Sequence, residues 1–157
     1  MRISIDNKLY MDCPEGFRKL TDEELQKMNL IANGKGLCIS DSERHIVITV
    51  TWTQVNALSG WLMGTREVSG SMERQIRKKM KNFSYEWVDN LKRTIDGQVA
   101  RGFNYEYLVN GIHMIGQSLV VKMEENVFYI HFYGRKVRRE ESLRIFNEIL
   151  DGMVITE

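Results

Sequence analysis

The sequence predicts an α+β domain in which a central antiparallel sheet of about six strands is flanked by α-helices. The residues between Gly97 and Tyr133 are rich in β-branched and aromatic side chains, which is typical of strands. Within them, Asn110-Gly111 favours a two-residue hairpin turn because both positions accept a positive φ. Two further segments, near residues 71–81 and 138–151, carry apolar residues at helical spacing.

The C-terminal half is predicted to form a three-stranded meander, and its turns set the register. The second turn, Glu124-Glu125-Asn126, is short and polar. Alignment through the two turns places Tyr105 across from Gly116 and Val120 across from His131. Because strand side chains alternate between faces, a slip of one residue would exchange the two faces. The predicted strands are Gln98–Leu108, Ile112–Met123 and Val127–Tyr133.

The two faces of this meander differ in chemistry. The aliphatic face, which we expect to form the core, carries Ala100, Leu108, Ile115, Leu119, Val121, Met123, Phe128, Ile130 and Phe132. The opposite face, called the tyrosine face below, carries Val99, Arg101, Phe103, Tyr105, Tyr107, Met114, Val120, Tyr129, His131 and Tyr133. Tyrosine suits a surface that is dry at one end and wet at the other. Two interpretations stay open: a helix covers the tyrosine face, or part of it is an open binding groove.

The N-terminal half supplies the remaining strands and one helix. Asp6-Asn7 indicates a small hairpin. Thr21-Asp22-Glu23-Glu24 is a capping box, in which the hydroxyl of Thr21 and the carboxylate of Glu24 each accept from the other's amide, and Asn33-Gly34 ends the helix that follows. The predicted strands are Arg2–Ile5, Lys8–Met11, Leu37–Ser40 and His45–Trp52.

The middle of the chain gives a weaker pattern before a clear helix. Residues 53–63 suggest a short helix, and Gly64–Gly70 is expected to be an exposed loop. A helix is predicted over about Ser71–Lys81, with an apolar stripe and a basic face that we interpret as solvated. Tyr85–Ile95 is predicted to be a strand, and the closing helix runs from about Arg138 to Asp151.

The length and composition of the chain indicate what class of protein it is. A chain of 157 residues fits one domain spanning positions 1–157. The 22 Lys and Arg nearly balance the 21 Asp and Glu, which argues against a dedicated nucleic-acid binder. The N-terminus lacks the apolar region of a signal peptide and no apolar run is long enough to span a bilayer, so we expect a cytoplasmic protein without membrane insertion. Cys13 and Cys38 are then expected to be reduced, although a disulfide between them stays open.

The sequence carries no recognisable catalytic, cofactor or metal motif. His45, His113 and His131 have no metal-ligand spacing with one another or with a cysteine. A phosphate-binding loop and a Gly-x-Ser-x-Gly nucleophile elbow are both missing. We therefore predict a protein that is not an enzyme and that uses no cofactor and no metal.

The order of elements resembles the PsbP-like superfamily, which includes the PsbP subunits and the Ran-release factor of the Mog type. The resemblance rests on Pro14-Glu15-Gly16-Phe17, on the Tyr105 and Tyr107 strand before Asn110-Gly111, on Gln117 and on the final helix. It implies a central antiparallel sheet with helices on both faces, an α/β/α sandwich. It also implies binding rather than catalysis, because members of the superfamily act as extrinsic subunits, release factors or chaperones.

The leading hypothesis is therefore a non-catalytic protein-interaction or chaperone/adaptor domain that binds a protein or peptide segment. The alternative is a small-ligand-binding or enzymatic domain with a cavity between the sheet and a helix, near His131. Nucleic-acid binding through the basic stretches 74–81 and 135–139 is the weakest hypothesis, and a homodimer stays open. The hypothetical binding residues are Tyr105, Tyr107, Tyr129, His131 and Tyr133.

Overall fold

The computed structural model describes residues 1–28, 36–55 and 64–156, and they form two antiparallel sheets and three α-helices. The larger sheet has seven strands and the smaller has three, so the expectation of about six strands was too low. The two strands that were not predicted, Arg18–Lys19 and Val154–Ile155, have only two residues each, too few to show an alternating pattern. The strands are β1 (Arg2–Ile5), β2 (Leu9–Asp12), β3 (Arg18–Lys19), β4 (Gly36–Asp41), β5 (Ile46–Gln54), β6 (Glu86–Ile95), β7 (Gln98–Val109), β8 (Ile112–Met123), β9 (Asn126–Arg135) and β10 (Val154–Ile155).

The large sheet has the order β3-β4-β5-β9-β8-β7-β6, and the small sheet has the order β1-β2-β10. Every pair of neighbouring strands is antiparallel. Short β3 occupies one edge of the large sheet and ten-residue β6 occupies the other.

Short turns with positive φ values explain the hairpins. Asn110 and Gly111 have φ values of +50° and +80°, as the dipeptide predicts. Asp6-Asn7 and Asp96-Gly97 have positive φ values in the same way. Asp96-Gly97 and Asn110-Gly111 are two-residue turns that join β6 to β7 and β7 to β8, whereas Asp6-Asn7 belongs to a three-residue loop, completed by Lys8, that joins β1 to β2.

The predicted register is right for the first meander hairpin and shifted for the second. Tyr105 pairs with Gly116, as expected. His131 pairs with Ser118 rather than with Val120, because Met123 and Asn126 close a two-residue turn. The error is two residues, so it preserves the assignment of side chains to faces.

Helix α1 (Asp22–Met28) begins at the predicted capping box. The Glu24 amide donates to Thr21 Oγ1 and the Thr21 amide donates to Glu24 Oε1, both at 3.2 Å. Arg18 also donates two hydrogen bonds to the Glu24 carboxylate, at 2.9 and 2.7 Å, and it lowers the pKa of Glu24 to about 2. The predicted helix end at Asn33-Gly34 lies outside the described residues, as does most of the weak helix predicted over 53–63.

Helix α2 (Thr65–Lys79) starts six residues before the prediction, so the exposed loop expected over Gly64–Gly70 is wrong. Gly64 is the N-cap residue and Gly70 lies within the helix. A glycine inside a helix costs about 1 kcal/mol relative to alanine, and the burial of Val68 and Met72 outweighs that cost. Helix α3 (Arg139–Asp151) forms essentially where its periodicity predicts.

The helices cover both faces of the large sheet, as the resemblance implies. Helix α3 and the small sheet pack on the aliphatic face, where Phe132 and Phe146 stack at 4.9 Å. Helices α1 and α2 pack on the tyrosine face. Cys13 and Cys38 are both free and buried, and they belong to clusters on opposite sides of the sheet, so the open question of a disulfide is answered in favour of two thiols.

No helix in the described ranges is long and apolar enough to cross a membrane.

The contact between Tyr105 and Gly116 holds the tyrosine face in place. The Tyr105 ring lies close against its cross-strand partner, because a Cβ built on Gly116 would come within 2.2 Å of Tyr105 Cζ. Val68 and Met72 of α2 belong to the same buried cluster as Tyr105. A glycine in a strand permits this close approach of an aromatic ring to the backbone.

We expect Gly116→Ala to lower the free energy of unfolding by about 1–3 kcal/mol, because the added methyl group overpacks the site beneath Tyr105. The matched control is Gly70→Ala in α2, whose Cβ would meet only Arg74 Nη1 at 3.6 Å. That variant should be more stable than the wild type by up to about 1 kcal/mol. Urea unfolding measures both changes, and a Gly116→Ala midpoint at or above the wild-type value would contradict the packing described here.

Candidate functional site

The five predicted binding residues lie on one face of the sheet, across β7, β8 and β9. Tyr105 on β7 and Tyr133 on β9 both pair with Gly116 of β8, so their side chains share that face. His131 and Tyr129 follow at two-residue intervals along β9. The structure therefore brings Tyr105, Tyr107, Tyr129, His131 and Tyr133 onto the same side.

Helix α2 covers part of this face. Tyr105 is 1% exposed and Tyr107 is 8% exposed, so the open-groove interpretation is wrong for these two residues. Their rings lie 5.8 Å apart, and burial raises the pKa of both hydroxyls. The Tyr105 hydroxyl is buried without a hydrogen-bond partner among the described residues. Tyr129 and Tyr133 are half-buried.

His131 forms a small polar contact on the same face. Its Nδ1 lies 2.7 Å from Ser118 Oγ, and its ring stacks on Tyr133 with 6.4 Å between centroids. Burial, with a smaller contribution from the positive charge of Lys79, lowers the pKa of His131 to about 4. Ser118 is completely buried, so its hydroxyl is not open to a substrate. This arrangement serves packing and hydrogen bonding, and it does not present an accessible nucleophile.

Metal coordination finds no support in the described ranges, where no three His, Cys, Asp or Glu side chains come together to hold an ion. The free thiols are also poorly suited to bind a metal or to act as nucleophiles, since burial raises the pKa of Cys38 to about 12. A thiol with a raised pKa is a poor nucleophile and a poor metal ligand.

A cleft of about 500 Å³ lies between α2 and the strands β6 and β7, away from His131. One side of α2 forms the first wall, and the floor includes Arg101 and Phe103 of β7. Trp87, which is 42% exposed, stands in the second wall on β6. We call this feature the arginine cleft. Its lining residues are Arg66, Ser69, Gly70, Glu73, Arg74, Arg77, Trp87, Asn90, Leu91, Arg101, Gly102 and Phe103.

The arginine cleft holds more positive charge than its own acid can balance. Arg77 donates two hydrogen bonds to the Glu73 carboxylate, at 3.1 and 2.5 Å. The Tyr85 hydroxyl also donates to Glu73, at 3.3 Å, while burial raises the pKa of Tyr85 to about 12. The cleft contains no other carboxylate. The guanidinium groups of Arg66, Arg74 and Arg101 therefore make no ion pair or hydrogen bond within the described part of the chain.

Sequence reasoning assigned the basic side of α2 to a solvated surface and missed the cleft. Arg66, Gly70, Arg74 and Arg77 recur at intervals of four, four and three, which is a helical stripe. This helical spacing is visible in the sequence, but Arg66 and Gly70 lie in the segment that was predicted to be a loop. Nothing in the local sequence indicated that this stripe would face β6.

The outer edge of β6 adjoins the cleft. β6 pairs with β7 alone, and its first five residues, Glu86–Asn90, are exposed. The edge carries charges of both signs and a bulge between Trp87 and Asp89, features that discourage indiscriminate pairing. Within the described ranges no strand or helix occupies that edge.

Comparisons with known proteins identify the fold. Neither the protein-family models nor the curated proteins gave a match. Among solved structures, cyanobacterial PsbP (CyanoP) from Synechocystis sp. PCC 6803 superposes with a TM-score of 0.70 at 12% identity, over 99% of this chain and 92% of that one. LpqN of Mycobacterium tuberculosis, described as involved in cell envelope biogenesis, gives 0.59 at 15% identity, over 95% and 83%. A Pseudomonas aeruginosa protein of unknown function, PA94, described as a putative regulator, gives 0.54 at 10% identity, over 100% and 97%.

His131 should make the stability of the fold depend on pH. Its pKa is lower in the folded state than in the unfolded chain, so the unfolded chain binds more protons between about pH 6.5 and 4. The free energy of unfolding should therefore fall as the pH falls through that window, by an amount on the order of 1–3 kcal/mol from this residue.

The variant His131→Asn should lose most of this pH dependence, because an amide does not titrate. Exposed His113 provides the matched control, and His113→Asn should keep the wild-type profile. Urea unfolding at pH 4.5, 5.5, 6.5 and 7.5 measures both. A His131→Asn profile as steep as that of the wild type would show that other groups are responsible.

Proposed function

Because the chain has the PsbP-like fold, we propose that it is a non-catalytic binding protein whose partner is an extended segment of another protein. The observation that supports this most strongly is the free edge of β6 beside the open arginine cleft. A strand with an unpaired edge can accept an extended segment through main-chain hydrogen bonds, and neighbouring pockets then select side chains.

The β6 edge is a better binding surface for an extended protein segment than the tyrosine face is. β6 is ten residues long, whereas the opposite edge strand, β3, has two residues. Trp87 supplies an exposed aromatic side chain at the wall of the cleft, and residues of this type often dominate binding energy. Tyr105 and Tyr107 cannot serve in that way while α2 covers them.

The half-buried part of the tyrosine face is a second candidate surface for the same function. Tyr129, His131 and Tyr133 retain some exposure, and an aromatic surface of this kind could contact a partner at its rim. Replacing Tyr129 with alanine tests whether the partner binds at this surface or at the arginine cleft.

Binding of a small anion is a second candidate function, favoured by the size of the arginine cleft. Its volume of about 500 Å³ falls within the range of small-molecule sites, about 300–1,000 Å³. The cleft also lies between the sheet and a helix, as the alternative hypothesis requires, although it lies away from His131, where that hypothesis placed the cavity. A thermal-shift screen with small carboxylates and phosphates decides this, because a ligand that binds only the folded state raises the unfolding temperature.

We expect Trp87→Ala to abolish the capture of protein partners by the immobilised chain, because it removes the aromatic anchor beside the β6 edge. Val137→Ala, at a side chain that is 88% exposed and lies outside the cleft, should leave capture unchanged. Tyr129→Ala should also leave it unchanged. Affinity capture followed by mass spectrometry measures all three, after thermal unfolding confirms that each variant is folded. Loss of capture in Tyr129→Ala alone would move the site to the tyrosine face.

A further inference from the structure

The chemistry of the arginine cleft narrows the class of partner. Of its four arginines, only Arg77 has its charge matched by a described residue, Glu73. Arg101 is half-buried between α2 and the sheet, where a guanidinium group is poorly screened by water. Arginine presents a planar fork of donors that fits the two oxygens of a carboxylate. The unmatched groups therefore favour an anionic occupant.

Two of the unmatched arginines are spread along α2, and the third lies on β7. Arg66 and Arg74 are eight residues apart on α2, a rise of about 12 Å along a helix. The facing wall runs from Trp87 to Leu91 on β6, four residues that extend about 13 Å along a strand. A single small anion cannot match that spread, whereas a chain that lies along the cleft can.

A partner segment that pairs with β6 as an added strand would direct half of its side chains toward the arginine cleft. A segment paired with β6 would lie about 4.8 Å beyond it, and every second side chain would point toward the α2 side of the sheet. Those side chains would stand at the mouth of the cleft, next to Trp87 and Asn90. The intervening side chains would point to the opposite side, away from the arginines.

We propose that the cleft selects an acidic extended segment, with Asp or Glu at alternate positions, whose main chain pairs with β6 while its carboxylates bind Arg66, Arg74 and Arg101. This inference rests on the proposed function and adds the chemistry of the partner. The cleft would select a partner segment both by its negative charge and by the spacing of its acidic residues at every second position. A segment with the same acids in the wrong pattern would place half of them on the other side of the sheet.

Three synthetic decapeptides test the inference by fluorescence anisotropy at low salt. The first alternates Glu and Thr, the second alternates Gln and Thr, and the third has the composition of the first with its five Glu residues in one block. We expect the first peptide to bind at least about tenfold more tightly than the other two, because hydrogen bonds to charged groups have that effect. Its affinity should also fall as salt is added.

Matched variants of the protein locate the binding. Arg74→Gln and Arg101→Gln should each weaken binding of the alternating Glu peptide about tenfold or more. Lys78→Gln removes one positive charge from the same helix outside the cleft, so it should change the affinity less than about twofold. Thermal unfolding confirms that the three variants are folded.

The outcomes separate this inference from the proposed function. Equal binding of the Glu and Gln peptides, with Trp87→Ala still abolishing capture, would overturn the acidic partner and leave segment binding intact. Unchanged affinity in both Arg74→Gln and Arg101→Gln would likewise overturn it. Tighter binding of single-stranded oligothymidylate than of any peptide, lost in Arg74→Gln, would assign the cleft to nucleic acid. Failure of all ligands, together with wild-type capture by Trp87→Ala, would contradict both proposals.

Discussion

The position of α2 on the sheet depends on the contact between the Tyr105 ring and the bare backbone of Gly116. Without a Cβ at Gly116, the ring can lie close against β8, and it joins the buried cluster that holds Val68 and Met72 of α2. The helix is thereby centred over β7 and β8 rather than over β6. The arginine cleft follows from this offset, because a helix centred one strand farther out would fill it.

The same offset leaves the arginines of α2 facing an open cleft. The chain is therefore almost neutral overall and basic in this one cleft. The sequence has a net charge of +1, yet four arginines and one glutamate line the cleft. Elsewhere, ion pairs such as Arg18–Glu24 and Arg93–Asp151 match charges locally. The cleft therefore concentrates three unmatched arginines in one place, and such a concentration of like charge is more typical of a binding site than of a solvated helix surface.

Much of the fold could be predicted because its determinants are local. Asn110-Gly111 and Asp96-Gly97 set two hairpins, and the capping box at Thr21 sets the start of a helix. The register error after Met123 did not matter for the faces, because a shift of two residues preserves parity. The start of α2 was missed because Gly64 and Gly70 suggest a loop, and only tertiary packing of Val68 outweighs that preference.

The candidate site was harder to predict because it depends on elements that are distant in sequence. Five tyrosine-face residues were correctly placed on one face, yet the sequence could not show that α2 would bury Tyr105 and Tyr107. The arginine cleft combines a helical stripe with Trp87 on β6 and Arg101 on β7. Periodicity identifies which residues share a side of one element, whereas the meeting of two elements is set by the packing of the whole sheet.

The central claim is that β6 presents an edge beside the cleft that no described strand occupies, and backbone amide hydrogen exchange of the free protein tests it most directly. The account predicts that alternate amides of β6, those directed away from β7, exchange orders of magnitude faster than the amides of β7 and β8. Uniform protection along all of β6 at low protein concentration would contradict it, because the edge would then already be covered.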